Sequence, residues 1–258
     1  MKELFLLDPK ITYLNFGSFG ACPQPVFEAY QKFQLKLEQS PVQFIVHSGM
    51  ELLKSSRHCL ASYLACEADN LVLMTNPSYA INTIAKSIPL SKGDEVLSTN
   101  LEYGAMNRTW KYYCKKSGAK YKQSKINFPI ESVSSFLEDF WAGYNKNTKI
   151  VFISHITSST GLILPIKEIC DEAKRRGLLT IIDGAHVPGQ LPLNIGELDP
   201  DVYVGACHKW MMAPKGASFL YVKKKQQYWV DPLLISWGFE SDTPTHSTFL
   251  DYHETAGT

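Results

Sequence analysis

The chain has 258 residues, 45% of them hydrophobic, and its 26 basic and 25 acidic residues leave a formal net charge of +1. This composition is typical of a globular protein of one large or two modest domains, and the balanced charge excludes an electrostatic footprint for nucleic acid or an anionic membrane. No apolar run approaches 18 residues and the N-terminus lacks the apolar core of a signal peptide, so we predict a cytoplasmic protein with no membrane contact.

The predicted elements begin with helices at 25–39 and 49–66, which are bounded by prolines. From about residue 70, short β-branched runs alternate with amphipathic segments, a pattern that indicates parallel strands joined by crossover helices. The predicted strands are 71–75, 95–99, 149–156, 178–183, 201–207 and 217–222, and the predicted helices between them are 78–88, 104–117, 131–143 and 165–176. A turn reverses the chain into the last strand, which makes that strand a candidate for antiparallel pairing. We therefore predict a three-layer α/β/α fold with a mostly parallel, mixed central sheet.

The six cysteines form no C-x-x-C pair and have no companion histidines at zinc-finger spacing. We interpret them as reduced thiols and predict no metal site. Cys207 lies two residues before Lys209, but a small buried hydrophobic residue is the simpler interpretation of it.

In a doubly wound sheet, ligands bind outside the carboxyl ends of the strands, so the residues that follow each strand are the candidate site residues. After the first strand, Asn76 suits a helix N-cap and Pro77 the first turn, so the free N–H groups and the Ser78 hydroxyl form a candidate phosphate site. An ordinary well-capped helix is the alternative. After the second strand comes Tyr103, whose ring either stacks on a planar ligand or packs as core.

Two further strand ends carry charge. Asp183 ends an apolar strand, where a lone carboxylate is costly to bury unless it meets a cation. The alternative to a ligand-binding role is a structural Asp that makes a turn or a salt bridge. Lys209 follows 26 residues later, at the mouth of another buried strand, where burial lowers the pKa of an amine and makes it nucleophilic. A lysine whose ammonium simply reaches solvent is the alternative here. Together the four strand ends supply an anion site, an aromatic ring, a carboxylate and an amine, which are the parts that hold pyridoxal 5'-phosphate.

Seven stretches carry a family pattern in order along almost the whole chain. They are YLNFGSFGACP (13–23), TNPSYAINTIAKSI (75–88), LEYGAMNRTW (101–110), ISHITSSTGLILPI (153–166), IIDGAHVPGQ (181–190), GACHKW (205–210) and ISWGFE (235–240). In these stretches the sequence resembles the class V aminotransferases of the fold type I pyridoxal-phosphate superfamily, and within them the isopenicillin N epimerase-like branch. The pairing of D-G-A-H with C-H-K-W at this interval is the most specific part of the resemblance.

The resemblance implies a role for each candidate residue. Lys209 would be the Schiff-base lysine and the base at Cα, Asp183 the partner of the pyridine nitrogen, and Tyr103 the stacking ring. The other implied cofactor ligands are Asn76, Pro77, Ser78 and His208 at the phosphate, His155 and His186 at the phenolic oxygen, and Thr258 in a segment that reaches a partner subunit's cofactor. The residues implied to line the substrate site are Asn15, Gly17 and Ser18. Pro77 has no backbone N–H, so one phosphate donor is missing.

The resemblance also implies a domain organisation and an activity. Residues 1–22 are expected to line the substrate site and residues 23–258 to form the cofactor-binding large domain, with the relatives' C-terminal small domain absent. We expect a homodimer that acts on an amino acid, a small-molecule substrate, through pyridoxal phosphate. Epimerase-like chemistry is the leading hypothesis, and racemisation and transamination stay open beside it. C–S lyase chemistry is the second hypothesis, and a truncated, catalytically inactive paralogue is the third. No G-x-G-x-x-G follows the first strand, which argues against a nicotinamide-binding Rossmann protein.

Overall fold

The centre of the protein is a seven-stranded sheet, seen in a computed structural model that describes residues 2–254. Its strands are β1 (Leu71–Met74), β2 (Glu95–Thr99), β3 (Lys120–Ser124), β4 (Thr148–Ser154), β5 (Leu179–Gly184), β6 (Val202–Ala206) and β7 (Ser218–Val222), in the spatial order β1-β7-β6-β5-β4-β2-β3. β7 runs antiparallel to both of its neighbours, and the other neighbouring pairs are parallel. The prediction of a mostly parallel, mixed sheet with an antiparallel last strand is confirmed.

The part of the chain that the structure describes contains eight α-helices. They are α1 (Gln24–Gln39), α2 (Gly49–Leu64), α3 (Pro77–Ser87), α4 (Gly104–Ser117), α5 (Val133–Trp141), α6 (Ile166–Arg175), α7 (Ile195–Leu198) and α8 (Thr248–Glu254). A π-helical stretch at Gln43–Ser48 links α1 to α2. The predicted helices are all present, with ends that differ by a few residues.

The core consists of two apolar layers, one on each face of the sheet. Along β4, Val151 and Ile153 contribute to the layer that contains α2, α5 and α6, whereas Ile150 and Phe152 contribute to the layer that contains α3, α4 and α8. Successive side chains of a strand point to opposite faces, so a strand buried on both faces is apolar throughout. This double burial gives the three-layer arrangement, and it explains why the central strands are visible in the sequence as short apolar runs.

The sequence reading missed one strand, β3, whose sequence is KYKQS. Among the described residues β3 pairs only with β2, and it forms an edge of the sheet, with Lys120 exposed to solvent. An edge strand has a solvent-facing side and tolerates charge, so its sequence lacks the apolar run that marks a central strand.

The N-terminal segment docks against the loop that follows β6. The backbone N–H of Gly20 donates to the carbonyl oxygen of His208 at 2.9 Å, and Lys215 Nζ donates to the carbonyl oxygen of Gly20. A Cβ at position 20 would lie 1.9 Å from the carbonyl oxygen of Lys209, so only glycine fits there. These contacts bring residues 14–20 to the carboxyl edge of the sheet.

Candidate functional site

A cleft of about 680 Å³ opens at the carboxyl edge of the sheet. It is bordered by the N-terminal segment and by the loops that follow β1, β2, β4, β5 and β6. The structure brings together here eleven of the residues singled out from the sequence: Asn15, Gly17, Ser18, Asn76, Pro77, Ser78, Tyr103, Asp183, His186, His208 and Lys209. Thr258 lies outside the described residues.

Asp183 is the buried carboxylate of the cleft. It stands on β5 one residue before the strand ends, is 5% exposed, and accepts a hydrogen bond at Oδ1 from the backbone N–H of Ala185 at 3.0 Å. Burial raises the pKa of Asp183, opposed by the Ala185 hydrogen bond and by the positive charge of Lys209. A carboxylate in this setting is stabilised by a cationic partner.

Lys209 lies on the loop after β6 and lines the same cleft as Asp183. Burial lowers the pKa of its amine, while the negative charge of Asp183 acts in the opposite direction. Desolvation disfavours an ammonium ion and increases the share of nucleophilic free amine at neutral pH. The side chain is half-buried in the cleft, so the alternative of a lysine that merely reaches bulk solvent does not describe it.

His186 and Trp210 flank this amine. Lys209 Nζ lies 3.3 Å from His186 Nε2, and the indole N–H of Trp210 donates to His186 Nδ1 at 3.2 Å. Burial, followed by the charge of Lys209, lowers the pKa of His186 to about 4. Trp210 was not singled out from the sequence, although its position directly after Lys209 in the GACHKW stretch was the available signal.

The loop between β1 and α3 forms one wall of the cleft. Asn76 is extended and accepts a hydrogen bond at Oδ1 from the backbone N–H of Tyr79 at 2.8 Å, which makes it the N-cap of α3. Pro77 occupies the first helical position, and Ser78 beside it also lines the cleft. A helix N-terminus of this kind favours an anion because its free N–H groups and dipole are positive.

His208 lies at the same cleft. The Nδ1–H of His208 donates to the carbonyl oxygen of Ala217 at 2.8 Å, and burial lowers the pKa of its ring. Tyr103 is 48% exposed at the start of α4, so its ring is not core and has a free surface for a planar ligand.

Glu102 is a buried acidic residue that the sequence reading missed. Its carboxyl group accepts hydrogen bonds from Thr99 Oγ1 at 2.7 Å, from the Ser154 backbone N–H at 2.9 Å and from Ser154 Oγ at 2.5 Å. These bonds fasten the loop that carries Tyr103 to the end of β4. Burial is the main cause that raises the pKa of Glu102 to about 7, and the charge of Asp183 also raises it.

His155 does not line the cleft, in contrast to the other histidines expected near the cofactor. Its Nδ1 lies 2.9 Å from the hydroxyl oxygen of the fully buried Tyr203, and its backbone N–H donates to the carbonyl oxygen of Asp183 at 2.8 Å. Burial lowers the pKa of His155 to about 4. The imidazole ring of His155 is therefore buried beside the sheet, where the Tyr203 hydroxyl group forms a hydrogen bond with its Nδ1.

The residues of the cleft fit pyridoxal 5'-phosphate by their chemistry. Asp183 has a second carboxylate oxygen available to a protonated ring nitrogen, since within residues 2–254 its hydrogen-bond donor is the Ala185 N–H at Oδ1. Lys209 offers a desolvated amine, Tyr103 a half-exposed ring, and the start of α3 an anion site. No group of three or more residues suited to hold a metal ion occurs in the described part of the chain, and no helix there is both long and apolar enough to cross a bilayer.

Comparison with known proteins links this geometry to a family. The model of the family described as Aminotransferase class-V matches residues 13–254. The chain is 35% identical over 244 residues to the isopenicillin N epimerase of Amycolatopsis lactamdurans, covering 93% of this chain and 61% of the relative. It is 27% identical to the L-cysteine desulfhydrase-like protein lolT1 of Epichloe uncinata, covering 99% of this chain and 59% of the relative. The chain thus spans about three fifths of the length of these relatives.

The fold also matches solved structures. A mutant of C-DES with glycine covalently linked to its PLP cofactor superposes with a TM-score of 0.83 at 20% identity, covering 100% of this chain and 75% of that chain. At this level of identity the likeness concerns the fold, and it agrees with the three-layer arrangement around the mixed sheet.

Proposed function

Because the chain belongs to the Aminotransferase class-V family, we propose that it binds pyridoxal 5'-phosphate in the cleft and uses it to transform an amino acid at Cα. The observation that carries the proposal is that Asp183 and Lys209, from two different strand ends, line one cleft and are electrostatically coupled. When bound, the cofactor withdraws electrons from Cα of an attached amino acid. Every other task falls to side chains of the chain itself.

Each cleft residue has a defined task under this proposal. Lys209 holds the cofactor covalently through its free amine and moves a proton at Cα, while the Asp183 carboxylate keeps the ring nitrogen protonated. Tyr103 stacks on the ring. The phosphate is assigned to Asn76, Pro77, Ser78 and His208, the phenolic oxygen to His186, and the substrate to Asn15, Gly17 and Ser18.

Epimerase-like chemistry is the leading activity, supported by the 35% identity to an isopenicillin N epimerase. C–S lyase chemistry is the second candidate, supported by the 27% identity to an L-cysteine desulfhydrase-like protein over 99% of this chain. Both reactions begin with proton removal at Cα, and they differ in what leaves or returns afterwards. An inactive paralogue that keeps only the fold is the third candidate.

The organisation of the active protein is part of the same proposal. Residues 1–22 would serve the substrate site and residues 23–258 the cofactor, in a cytoplasmic homodimer. The docking of Gly20 on the His208 carbonyl supports the first assignment because it brings the N-terminal segment to the cleft.

Spectroscopic titration with pyridoxal phosphate tests the proposal. The protein is expected to develop an absorbance band at about 400–430 nm, the range of a pyridoxal group bonded to an amine. Lys209→Ala should abolish the band, and Lys111→Ala, at an exposed position of α4, should leave it unchanged. A wild-type protein that shows no band with excess cofactor would support the inactive paralogue.

Proton exchange then separates the two reactions. Amino acids incubated in D₂O should exchange the Cα proton in either case, as followed by NMR. Interconversion of D and L forms identifies an epimerase or racemase, whereas release of sulfide together with an α-keto acid from a cysteine derivative identifies a lyase. Cofactor binding without Cα exchange for any amino acid tested would contradict the proposed activity.

A further inference from the structure

The contact between Trp210 and His186 determines which nitrogen of the histidine carries its proton. An indole N–H is a donor only, so the His186 Nδ1 that lies 3.2 Å from Trp210 Nε1 must be an acceptor. A neutral imidazole has one donor and one acceptor nitrogen, and the proton of His186 is therefore on Nε2. Because burial lowers the pKa of His186 to about 4, the ring is neutral over the physiological range.

The protonated Nε2 faces the amine of Lys209 at 3.3 Å. An ammonium group has three donors and no acceptor, so an Nε2–H donor can bond only to the lone pair of a neutral amine. If His186 carried its proton on Nδ1 instead, Nε2 would accept from an ammonium group and stabilise the charged lysine. The tautomer of His186 therefore decides which protonation state of Lys209 is favoured.

Trp210 is itself held in place by the N-terminal segment. Phe16 stacks on its ring with the centroids 6.3 Å apart and the planes at 22°. Gly17 lies against both side chains, since a Cβ there would be 3.2 Å from Trp210 Cζ2 and 3.4 Å from His186 Cε1. The segment thus restricts the direction in which the indole N–H points.

We propose that Trp210 is a positioning residue that fixes His186 in its Nε2–H tautomer and thereby favours the neutral, nucleophilic amine of Lys209. The inference deepens the proposed function, because it assumes that Lys209 is the reactive amine. Asp183 on β5 also acts on this amine, and its carboxylate opposes the effect; the neighbouring His208 is itself affected by Lys209, whose charge lowers the pKa of the His208 ring. Tyr103 borders the same cleft from the β2 side.

The tautomer is measured directly by long-range ¹H–¹⁵N NMR of the imidazole rings, with the His186 signals assigned by their loss in His186→Gln. Wild type is expected to show a neutral Nε2–H ring at pH 7. Trp210→Phe, which keeps a ring to stack on Phe16, should show a mixed or Nδ1–H population. Trp229→Phe is the matched control because it also deletes an indole N–H bond, to Gln226 Oε1 at 3.0 Å, outside the cleft lining.

The second readout is the pH dependence of the rate at which Lys209 captures pyridoxal phosphate, followed by absorbance without substrate. In Trp210→Phe the profile should move to higher pH by about half a unit to one unit, giving a rate about three to ten times lower at pH 7. Trp229→Phe should keep the wild-type profile. A lower rate with an unmoved profile would indicate only structural damage and would overturn the proposal.

The wild-type spectrum keeps the inference testable even if Trp210→Phe does not fold. An Nδ1–H ring in wild type overturns the positioning role, while cofactor binding through Lys209 would leave the proposed function intact. Conversely, an Nε2–H ring that is lost in Trp210→Phe supports the positioning of His186 even in a protein that captures no cofactor, in which case the proposed function is what fails.

Discussion

Glu102 and Asp183 are two buried carboxyl groups at the carboxyl edge of the sheet, and their negative charges repel each other. Burial raises the pKa of both groups, and the charge of Asp183 adds to the rise at Glu102. Lys209 lowers the pKa of Asp183. The charge of Lys209 therefore supports the anionic form of Asp183, and the carboxylate of Asp183 in turn favours the protonated form of Glu102.

Glu102→Gln is expected to stabilise the protein at high pH. The pKa of Glu102 rises from 4.5 to about 7 on folding, so its contribution to stability is complete below about pH 4.5 and is lost as the pH rises through 7. Glutamine keeps the shape of the protonated acid and has no charge to bury. The variant should match wild type near pH 5 and exceed its Tm at pH 8 by several degrees, at roughly 2–4 °C per kcal/mol.

Thermal unfolding across this pH range is the measurement for Glu102→Gln. Glu138→Gln, at an exposed position of α5, is the control and should follow wild type at every pH. A Tm difference between Glu102→Gln and wild type that does not change between pH 5 and pH 8 would show that the carboxyl group does not titrate in this range.

Asp183→Asn is expected to stabilise the protein without cofactor and to weaken its hold on pyridoxal phosphate. The amide oxygen can keep the bond from the Ala185 N–H while the buried charge disappears, which favours the folded state by about 1–3 kcal/mol. The loss of the anionic partner of the ring nitrogen should raise the Kd for the cofactor about tenfold or more. Thermal unfolding without cofactor and spectroscopic titration with it measure the two effects.

Asp8→Asn provides the matched control for this change. Asp8 Oδ1 accepts from the backbone N–H of Lys10 at 2.9 Å, the same two-residue pattern as Asp183 with Ala185, but at an exposed position. Neither the Tm nor the Kd should move in this control. An Asp183→Asn protein that is less stable than wild type would mean that Asp183 already has a strong cationic partner without the cofactor.

Gly20→Ala is expected to detach the N-terminal segment from the loop that carries Lys209. A Cβ there would lie 1.9 Å from the Lys209 carbonyl oxygen, which the backbone has to move to accommodate. We expect a loss of about 2 kcal/mol or more together with weaker cofactor binding. Gly104→Ala is the control, because nothing lies within 4 Å of its added Cβ and alanine favours the start of α4. Equal stability of the two variants, measured by denaturant unfolding, would contradict this docking.

Tyr103→Ala should weaken cofactor binding and leave the fold almost unchanged. The ring is 48% exposed, so its removal leaves no core cavity, whereas stacking on a planar ligand contributes about 0.5–1.5 kcal/mol, or roughly two- to twelvefold in Kd. Tyr103→Phe should bind as wild type does. Tyr112→Ala removes an exposed ring on the same helix, α4, and should change neither Kd nor Tm. A Kd for Tyr103→Ala equal to that of wild type would assign the ring to another task.

Much of the fold could be predicted from local pattern. The apolar runs of β4, β5 and β6 are typical of strands that are buried on both faces of a sheet. Asn76 followed by Pro77 is typical of the start of a helix. Both patterns are local in sequence, because the alternation of side chains along a strand and the residues that cap a helix each involve only a few neighbouring positions. The polar edge strand β3 lacks this pattern, because a strand that faces solvent is not buried on both sides.

The strand ends by themselves pointed to the cleft, because every parallel strand delivers its last residues to the same edge. Only the tertiary structure decided the partners within it. Glu102 meets Ser154, and Trp210 meets His186, through contacts that span 52 and 24 residues of sequence. His155 and Asp183 both follow apolar runs, yet the first pairs with Tyr203 in the interior and the second lines the cleft. Which side chain faces the ligand depends on strand order and register, and those are set by packing between segments that are distant in the chain.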